Sequence, residues 1–260
     1  MQYLIINGSP RHQNTWKIVE RAKNRLSDHD KDAQFWEVNL IDEDISQCIG
    51  CFNCFINGED TCPHANKIQP IVEKMKKCDG LIITTPVYAL NVSGLMKTFI
   101  DHLAYFYHRP YFFKKHAMII VTTAGMGAKK VGKYIDETLE SFGYNQRYKL
   151  CFINAYRPDG KLPYKTIDEI YKQTDKFYED IMNKKLYSPS MKALYSYNVW
   201  RAMAYNNHVA KDTQYWKKHD MLNDEYCPQI PCNIVKKLPF KIFYKMMQGF
   251  LKQNTVKSEK

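Results

Sequence analysis

Residues 2–15 read QYLIINGSPRHQNT. The continuous apolar run Tyr3 to Ile6 breaks into Gly8-Ser9-Pro10-Arg11-His12-Gln13-Asn14-Thr15, and a segment of helical period from Thr15 to Leu26 follows directly. A strand apolar on both sides belongs in the middle of a parallel sheet with helices on both faces. Leu81 to Thr85 and Ala117 to Thr123 have the same character. Phe35 to Leu40 alternates, and Arg147 to Ile153 mixes charged with apolar positions, so these two are expected at the edges. Between the strands, Ile68, Ile71, Val72 and Met75 fall at helical spacing, as do Leu95, Met96, Phe99, Ile100 and Leu103. Val131 to Phe142 and Ile167 to Met182 complete the helices. The alternation predicts an α/β fold, a doubly wound five-stranded parallel sheet in the order 2-1-3-4-5.

The chain has 260 residues, 45% apolar and 25% charged, against about 150 residues for a typical domain. These values exclude a disulfide-stapled miniature, a disordered chain and a collagen-like repeat. No apolar stretch approaches the roughly 18 to 20 residues that cross a bilayer, and no basic region precedes the first apolar run. A cytoplasmic protein is expected. The formal charge is +11, and residues 190–260 hold twelve Lys and Arg against five Asp and Glu, so most of the excess lies in the last quarter. After Ser188-Pro189-Ser190 the sequence turns aromatic and basic, with Trp200, Tyr205, Tyr215, Trp216 and Tyr226, and then Pro-punctuated from Cys227 to Pro239. The division expected is 1–187 for the α/β domain and 188–260 for a helical C-terminal extension. A last helix from Phe240 to about Leu251 places Phe243, Met247, Phe250 and Leu251 on one face, with Lys241, Lys245 and Lys252 elsewhere. Docking on the core or on a second subunit is preferred there over a membrane surface. The tail matches no nucleic-acid module, so neither nucleic acid nor membrane is an expected partner.

The loop after the first strand has the chemistry of an anion site. In an open parallel sheet, ligands bind outside the carboxyl ends of the strands where the strand order reverses. A turn of small residues exposes backbone N–H groups, and the helix start adds its positive dipole end. Ser9, Asn14 and Thr15 offer side-chain donors, and Arg11 a charged planar fork. The bland alternative is that Ser9 or Asn14 merely caps the helix. No Gly-Lys-Ser/Thr or G-x-G-x-x-G follows this strand, so nucleoside triphosphates and dinucleotides are disfavoured. The third strand ends in Thr84-Thr85-Pro86-Val87-Tyr88-Ala89-Leu90-Asn91 and the fourth in Thr122-Thr123-Ala124-Gly125-Met126-Gly127. The former is suited to lie beside a flat ring or is an ordinary strand-ending turn, and Gly125 and Gly127 permit close approach in the latter. Together the three loops suit a flat aromatic cofactor ending in one phosphate. No His or carboxylate stands out in them, and no catalytic acid or base is assigned.

Cys48, Cys51, Cys54 and Cys62 have the spacing C-x2-C-x2-C-x7-C. Four soft sulfur ligands suit an iron–sulfur cube, whereas structural zinc usually takes two separated knuckles. Zinc, a redox-active thiol pair and inert cysteines remain open alternatives. Cys78, Cys151, Cys227 and Cys232 are expected to pack as small apolar groups.

Over residues 1–185, GSPRHQNT, TTPVYALNVSGLMKTFIDHL and VTTAGMG resemble the NADPH-dependent FMN reductase and iron–sulfur flavoprotein family, which has a flavodoxin-like fold. The resemblance implies that Ser9, Arg11, Asn14 and Thr15 hold the FMN phosphate. It implies that Pro86, Val87, Tyr88 and Asn91 line the isoalloxazine, and that Thr123, Ala124 and Gly125 close the site. It further implies a [4Fe-4S] cluster on the four clustered cysteines and a homodimer or homotetramer. The expected activity is an FMN-dependent oxidoreductase taking hydride from NAD(P)H and passing electrons to a small-molecule or protein acceptor. A flavin electron carrier or redox sensor without turnover is the alternative. The family often has Asp-Arg where this chain has Asp101-His102, and no role is assigned to His102.

Overall fold

A computed structural model describes residues 1–153 and 161–258 of the protein, with side chains as far as Leu251. Five strands, β1 (Gln2–Asn7), β2 (Gln34–Asn39), β3 (Gly80–Pro86), β4 (His116–Thr123) and β5 (Gln146–Ile153), form one parallel sheet in the order β2-β1-β3-β4-β5. The doubly wound expectation holds in strand number, direction and order. The two mixed strands, β2 and β5, are the edges.

Strand alternation splits the apolar runs between two cores. Leu4, Ile6, Leu81, Ile83, Ile119 and Val121 face α3 (Ala65–Lys77), α4 (Gly94–His102) and α6 (Ala128–Ser141). Tyr3, Ile5, Ile82, Met118 and Ile120 face α1 (Asn14–His29) and α7 (Tyr164–Met182). Every residue from Tyr3 to Ile6 is fully buried, which is why β1 tolerates no polar alternation. The helix stripes read from the sequence all point inward: Ile68, Ile71, Val72 and Met75 are buried on α3, and Met96, Phe99 and Ile100 on α4. Cys78 and Cys227 are buried, Cys151 and Cys232 half-buried. Burial pushes the Cys78 and Cys151 thiols up to about 11.

Two short helices, α2 (Asn53–Ile56) and α5 (Tyr105–His108), and a 3-10 turn at Glu59–Thr61 stand between the larger elements. Beyond residue 187 come α8 (Met191–Tyr205), α9 (Ala210–Lys218) and α10 (Ile234–Ser258). Leu194, Tyr197, Trp216, Met221, Tyr226, Ile230 and Phe240 share a third cluster with Phe113. Trp216 donates its indole N–H to the His108 carbonyl at 2.8 Å, and the Tyr215 hydroxyl donates to the Pro110 carbonyl at 2.7 Å.

The last helix begins at Ile234, six residues before the expected start, and runs through Pro239. Pro239 lacks the N–H that would bond the carbonyl of Val235, a residue exposed to solvent, where water can take the bond. Leu251 is buried and Phe243 and Met247 are half-buried, as expected of one docking face, but Phe250 is exposed. Its position on the wheel is rotated past the edge of that face. Lys252 lies outside the described side chains. Among the described residues, no helix is long and apolar enough to cross a membrane.

Candidate functional site

The carboxyl ends of β1, β3 and β4 lie side by side because Asn7 pairs with Thr84 and Pro86 with Thr122. Three loops leave this edge together. The first is drawn against α4: the Gly8 N–H donates to the Thr84 carbonyl at 2.8 Å, and the Ser93 hydroxyl donates to the Gly8 carbonyl at 2.6 Å. A Cβ on Gly8 would come within 2.9 Å of Met96 Cβ, so only glycine allows this approach. Buried Asn7 accepts from the Ser9 N–H at 3.0 Å and donates to Asn39 Oδ1 at 3.1 Å. Asn39 also meets the His12 ring at 2.8 Å. Asn7 and Asn39 therefore shape the loop, a role the sequence reading missed; a polar residue closing an otherwise apolar strand is the signal that marked Asn7.

Helix α1 begins at Asn14 with Gln13 as N-cap residue and no side-chain cap. Neither Ser9 nor Asn14 caps it, which removes the bland alternative for this loop. The first backbone N–H to bond back is that of Lys17, to the Gln13 carbonyl at 3.0 Å, so the first-turn N–H groups before it have no intrahelical acceptor.

These elements enclose an open cleft with about 590 Å³ of empty space, its mouth included. Of the expected residues, Ser9, Arg11, Asn14, Thr15, Pro86, Val87, Tyr88, Thr123 and Ala124 line it, joined by Gln13 and Thr122, which the sequence reading did not single out. Asn91 and Gly125 do not. The Asn91 side chain accepts from the Val92 N–H at 2.8 Å, and Gly125 donates its N–H to Thr123 Oγ1 at 3.2 Å. Of the two glycines expected to allow close approach, Gly125 has open space where a Cβ would stand. Gly127 is the constrained one, at φ +96 with Val87 and Leu90 side chains 3.2 Å from a Cβ position.

The donors are narrower than expected. The Ser9 hydroxyl donates to the Arg11 carbonyl at 2.7 Å, and Thr15 Oγ1 shares a 2.7 Å bond with Thr122 Oγ1. Donors facing the cleft are thus the exposed Arg11 fork, the Asn14 amide and the first-turn N–H groups. Among the described residues, none lining the cleft is acidic. One permanent cation, free amides and no carboxylate fit a phosphate, and the wall of Pro86, Val87 and Tyr88 fits a flat ring beyond it. Tyr88 and Asn91 exchange both backbone hydrogen bonds at 2.9 Å, closing a turn whose central Ala89 and Leu90 sit at φ 47 and φ 60. Such turns ordinarily call for Asn or Gly, so this loop carries backbone strain of about 1 kcal/mol or more per residue.

Cys48, Cys51, Cys54 and Cys62 are not among the residues lining this cleft. Cys48 and Cys51 are exposed, Cys54 and Cys62 half-buried. Among the described residues, no three His, Cys, Asp or Glu side chains gather as a metal site requires. As placed, the four thiols expected to bind a [4Fe-4S] cluster do not fit one, because they are not gathered as ligands around one centre, and Cys48 and Cys51 are exposed. Two distant residues hold the loop: Arg109 donates to the Cys54 carbonyl, and His102 meets the Ser46 carbonyl at 2.8 Å with its other ring nitrogen 3.8 Å from the Cys62 sulfur. Burial pushes the Cys54 thiol up. Arg109 is backed by Asp212 of α9, whose Oδ1 lies 3.6 Å from its Nε, and His108 bonds the other Asp212 oxygen at 2.8 Å. Arg109 Nε and Asp212 Oδ1 have no hydrogen-bond partner, so their contact is an ion pair without a hydrogen bond.

A 2-1-3-4-5 parallel sheet with helices on both faces and a cleft at its switch point defines the class as flavodoxin-like. A family model, NADPH-dependent FMN reductase, matches residues 1–140; the chain belongs to that family. It is 32% identical over 145 residues to an iron-sulfur flavoprotein of Archaeoglobus fulgidus, covering 55% of this chain and 64% of the relative. It is 35% identical over 102 residues to an iron-sulfur flavoprotein of Methanocaldococcus jannaschii, covering 39% and 51%. The matched stretch thus spans about half to two-thirds of these curated relatives. The solved structure of RosB with bound 8-demethyl-8-formylriboflavin-5'-phosphate superposes with a TM-score of 0.56 at 17% identity, covering 70% of this chain and 79% of RosB. At that identity the likeness is one of fold.

Proposed function

We propose that the protein is an FMN-dependent oxidoreductase that takes hydride from NAD(P)H and passes electrons to a small-molecule or protein acceptor. The observation that carries the reading is the cleft at the ends of β1, β3 and β4, with its single arginine, free helix-start amides, flat wall and absence of acidic lining residues. FMN, when bound, supplies the two-electron chemistry that no side chain here provides. The chain's own residues bind and orient. Arg11, Asn14 and the first turn of α1 hold the phosphate, while Ser9 and Thr15 fix the loop that presents them. Pro86, Val87 and Tyr88 form one wall for the ring, and Thr122, Thr123 and Ala124 the opposite side. Residues 1–187 form the cofactor domain and 188–260 an extension packed on it, the whole acting in the cytoplasm as a homodimer or homotetramer.

The test is to load the purified chain with FMN and follow NADH and NADPH oxidation with a quinone, a nitro compound or free flavin. Sustained oxidation in proportion to bound FMN is expected. A chain that takes up no FMN, or whose FMN neither nicotinamide reduces, overturns the reading. Reduction without steady-state turnover, completed only by an acidic protein partner and weakened by salt, identifies an electron carrier instead.

No step is assigned to an iron–sulfur cluster, since Cys48, Cys51, Cys54 and Cys62 are not gathered. Their spacing and the iron-sulfur flavoproteins among the relatives make the question an experimental one. Iron and sulfide at about four each per chain after anaerobic purification would mean that the loop closes around a cluster on loading.

A further inference from the structure

Helix α10 carries apolar residues on two sides, one packed on the protein and one turned to solvent. Phe240, Tyr244 and Leu251 are buried against the protein, and Tyr244 packs under the Arg201 guanidinium of α8, 3.8 Å from the ring centre. The opposite side carries Ile234, Val235, Leu238, Ile242, Met246 and Phe250, each between 57% and 79% exposed. Val235, Leu238, Ile242, Met246 and Phe250 follow helical spacing and form one continuous stripe about 24 Å long. An exposed apolar stripe of this length marks a contact surface.

Charge decides what the contact is. From Ile234 to Ser258 there are six lysines and no Asp, Glu or Arg. Lys236 and Lys237 are held by Pro189 and Asp224. Lys241 and Lys245 are exposed along one border of the stripe, and neither pairs with an acid among the described residues. The nearest carboxylates across that border, Asp224 and Glu225, are engaged by Lys237 and Arg201. A second copy seated on this stripe would bring lysines and no counter-charge from its own α10. A surface of anionic headgroups over an apolar interior supplies what both parts of the helix lack. It takes the stripe into the acyl boundary and leaves the lysine ammonium groups at headgroup level.

We propose that α10 is an interfacial membrane-binding helix, lying in the plane of an anionic lipid bilayer with Leu238, Ile242, Met246 and Phe250 inserted and Lys241 and Lys245 at the headgroups. The helix does not span the bilayer. The proposal concerns a surface remote in sequence from the cleft loops and stands whether or not the chain is a reductase.

The test is cosedimentation of the full chain with vesicles of phosphatidylcholine alone and of phosphatidylcholine with phosphatidylserine. Binding to the anionic vesicles, with little to the neutral ones, is expected, and it should weaken when salt rises from about 0.1 M to about 0.5 M. The Ile242→Asp, Phe250→Asp double variant should lose at least about tenfold in vesicle affinity. Both sites are exposed, so its circular dichroism and thermal transition should match the parent chain. Lys241→Glu, Lys245→Glu should abolish the preference for anionic lipid. No binding to anionic vesicles at low salt overturns the proposal, as does equal binding to neutral ones or binding that survives the double variant. A dimer that Ile242→Asp dissociates, with no vesicle binding by the parent chain, assigns the stripe to a second copy and overturns it as well.

Discussion

Replacing Arg11 by Gln removes the only cation among the described residues lining the cleft and leaves a shorter, neutral polar side chain. A hydrogen bond to a charged group is worth about 1.5–3 kcal/mol. Arg11 is exposed at the rim, so solvent screening brings the expected loss down to about 1–2 kcal/mol. At 1.4 kcal/mol per tenfold, this corresponds to a rise of about 5- to 30-fold in the Kd for FMN. Fluorescence titration of the apoprotein measures it, with riboflavin as the control because it carries the same ring without the phosphate. Riboflavin affinity should be unchanged in Arg11→Gln, and the gap between FMN and riboflavin should close by the same 5- to 30-fold. Added salt should weaken FMN binding to the parent chain more than to the variant. An equal loss for both ligands would refute the assignment of Arg11 to the phosphate end, as would an unchanged FMN affinity.

Gly8→Ala places a methyl 2.9 Å from Met96 Cβ and should cost about 1–3 kcal/mol by overpacking, read as a lowered urea midpoint together with weaker FMN uptake. Thr15→Val strands the buried Thr122 hydroxyl, its partner at 2.7 Å, and should destabilise by about 1–3 kcal/mol in the same assay. Asp212→Ala leaves the Arg109 guanidinium, 4% exposed, with Glu59 at 3.5 Å as its remaining carboxylate, and a loss of about 1–3 kcal/mol is expected from thermal unfolding. Burial holds the His116 imidazole below its ordinary 6.5, and Nδ1 has no partner. Folding therefore favours the neutral ring: its contribution is complete above pH 6.5 and is lost as pH falls toward the folded value. His116→Phe should flatten that acid limb in urea midpoints measured between about pH 5 and pH 8; an unchanged limb would place the titration elsewhere.

The strands were legible because burial on both faces writes itself into sequence: Tyr3 to Ile6 cannot be read any other way. The edges were legible for the converse reason, since Glu37 and Lys149 interrupt their runs. The C-terminal helices were harder. Helix α8 buries Leu194, Tyr197, Asn198, Arg201 and Ala202 together, so polar and apolar residues share its inner surface and the periodic signal blurs. Pro239 hid the start of α10, although an exposed carbonyl upstream makes it tolerable. At the site, topology alone gathered the three loops. The partners inside them were not visible, because the hydroxyls of Ser9 and Thr15 are committed by contacts within the turn and across to β4. The Tyr88–Asn91 turn was opaque for another reason: Ala89-Leu90 lacks the Asn or Gly that normally announces left-handed backbone. The cysteine spacing was plain in the sequence, but the path of the loop that carries it is held by Arg109 and His102, both distant along the chain.

The pairing of Arg109 with Asp212 ties two remote parts of the chain into one obligation. The guanidinium steadies the segment bearing Cys54, and the carboxylate that makes its burial tolerable comes from beyond residue 187. A shortened chain stopping before α9 would keep the cleft but leave Arg109 with Glu59, 3.5 Å away and more open to solvent, as its remaining counter-charge.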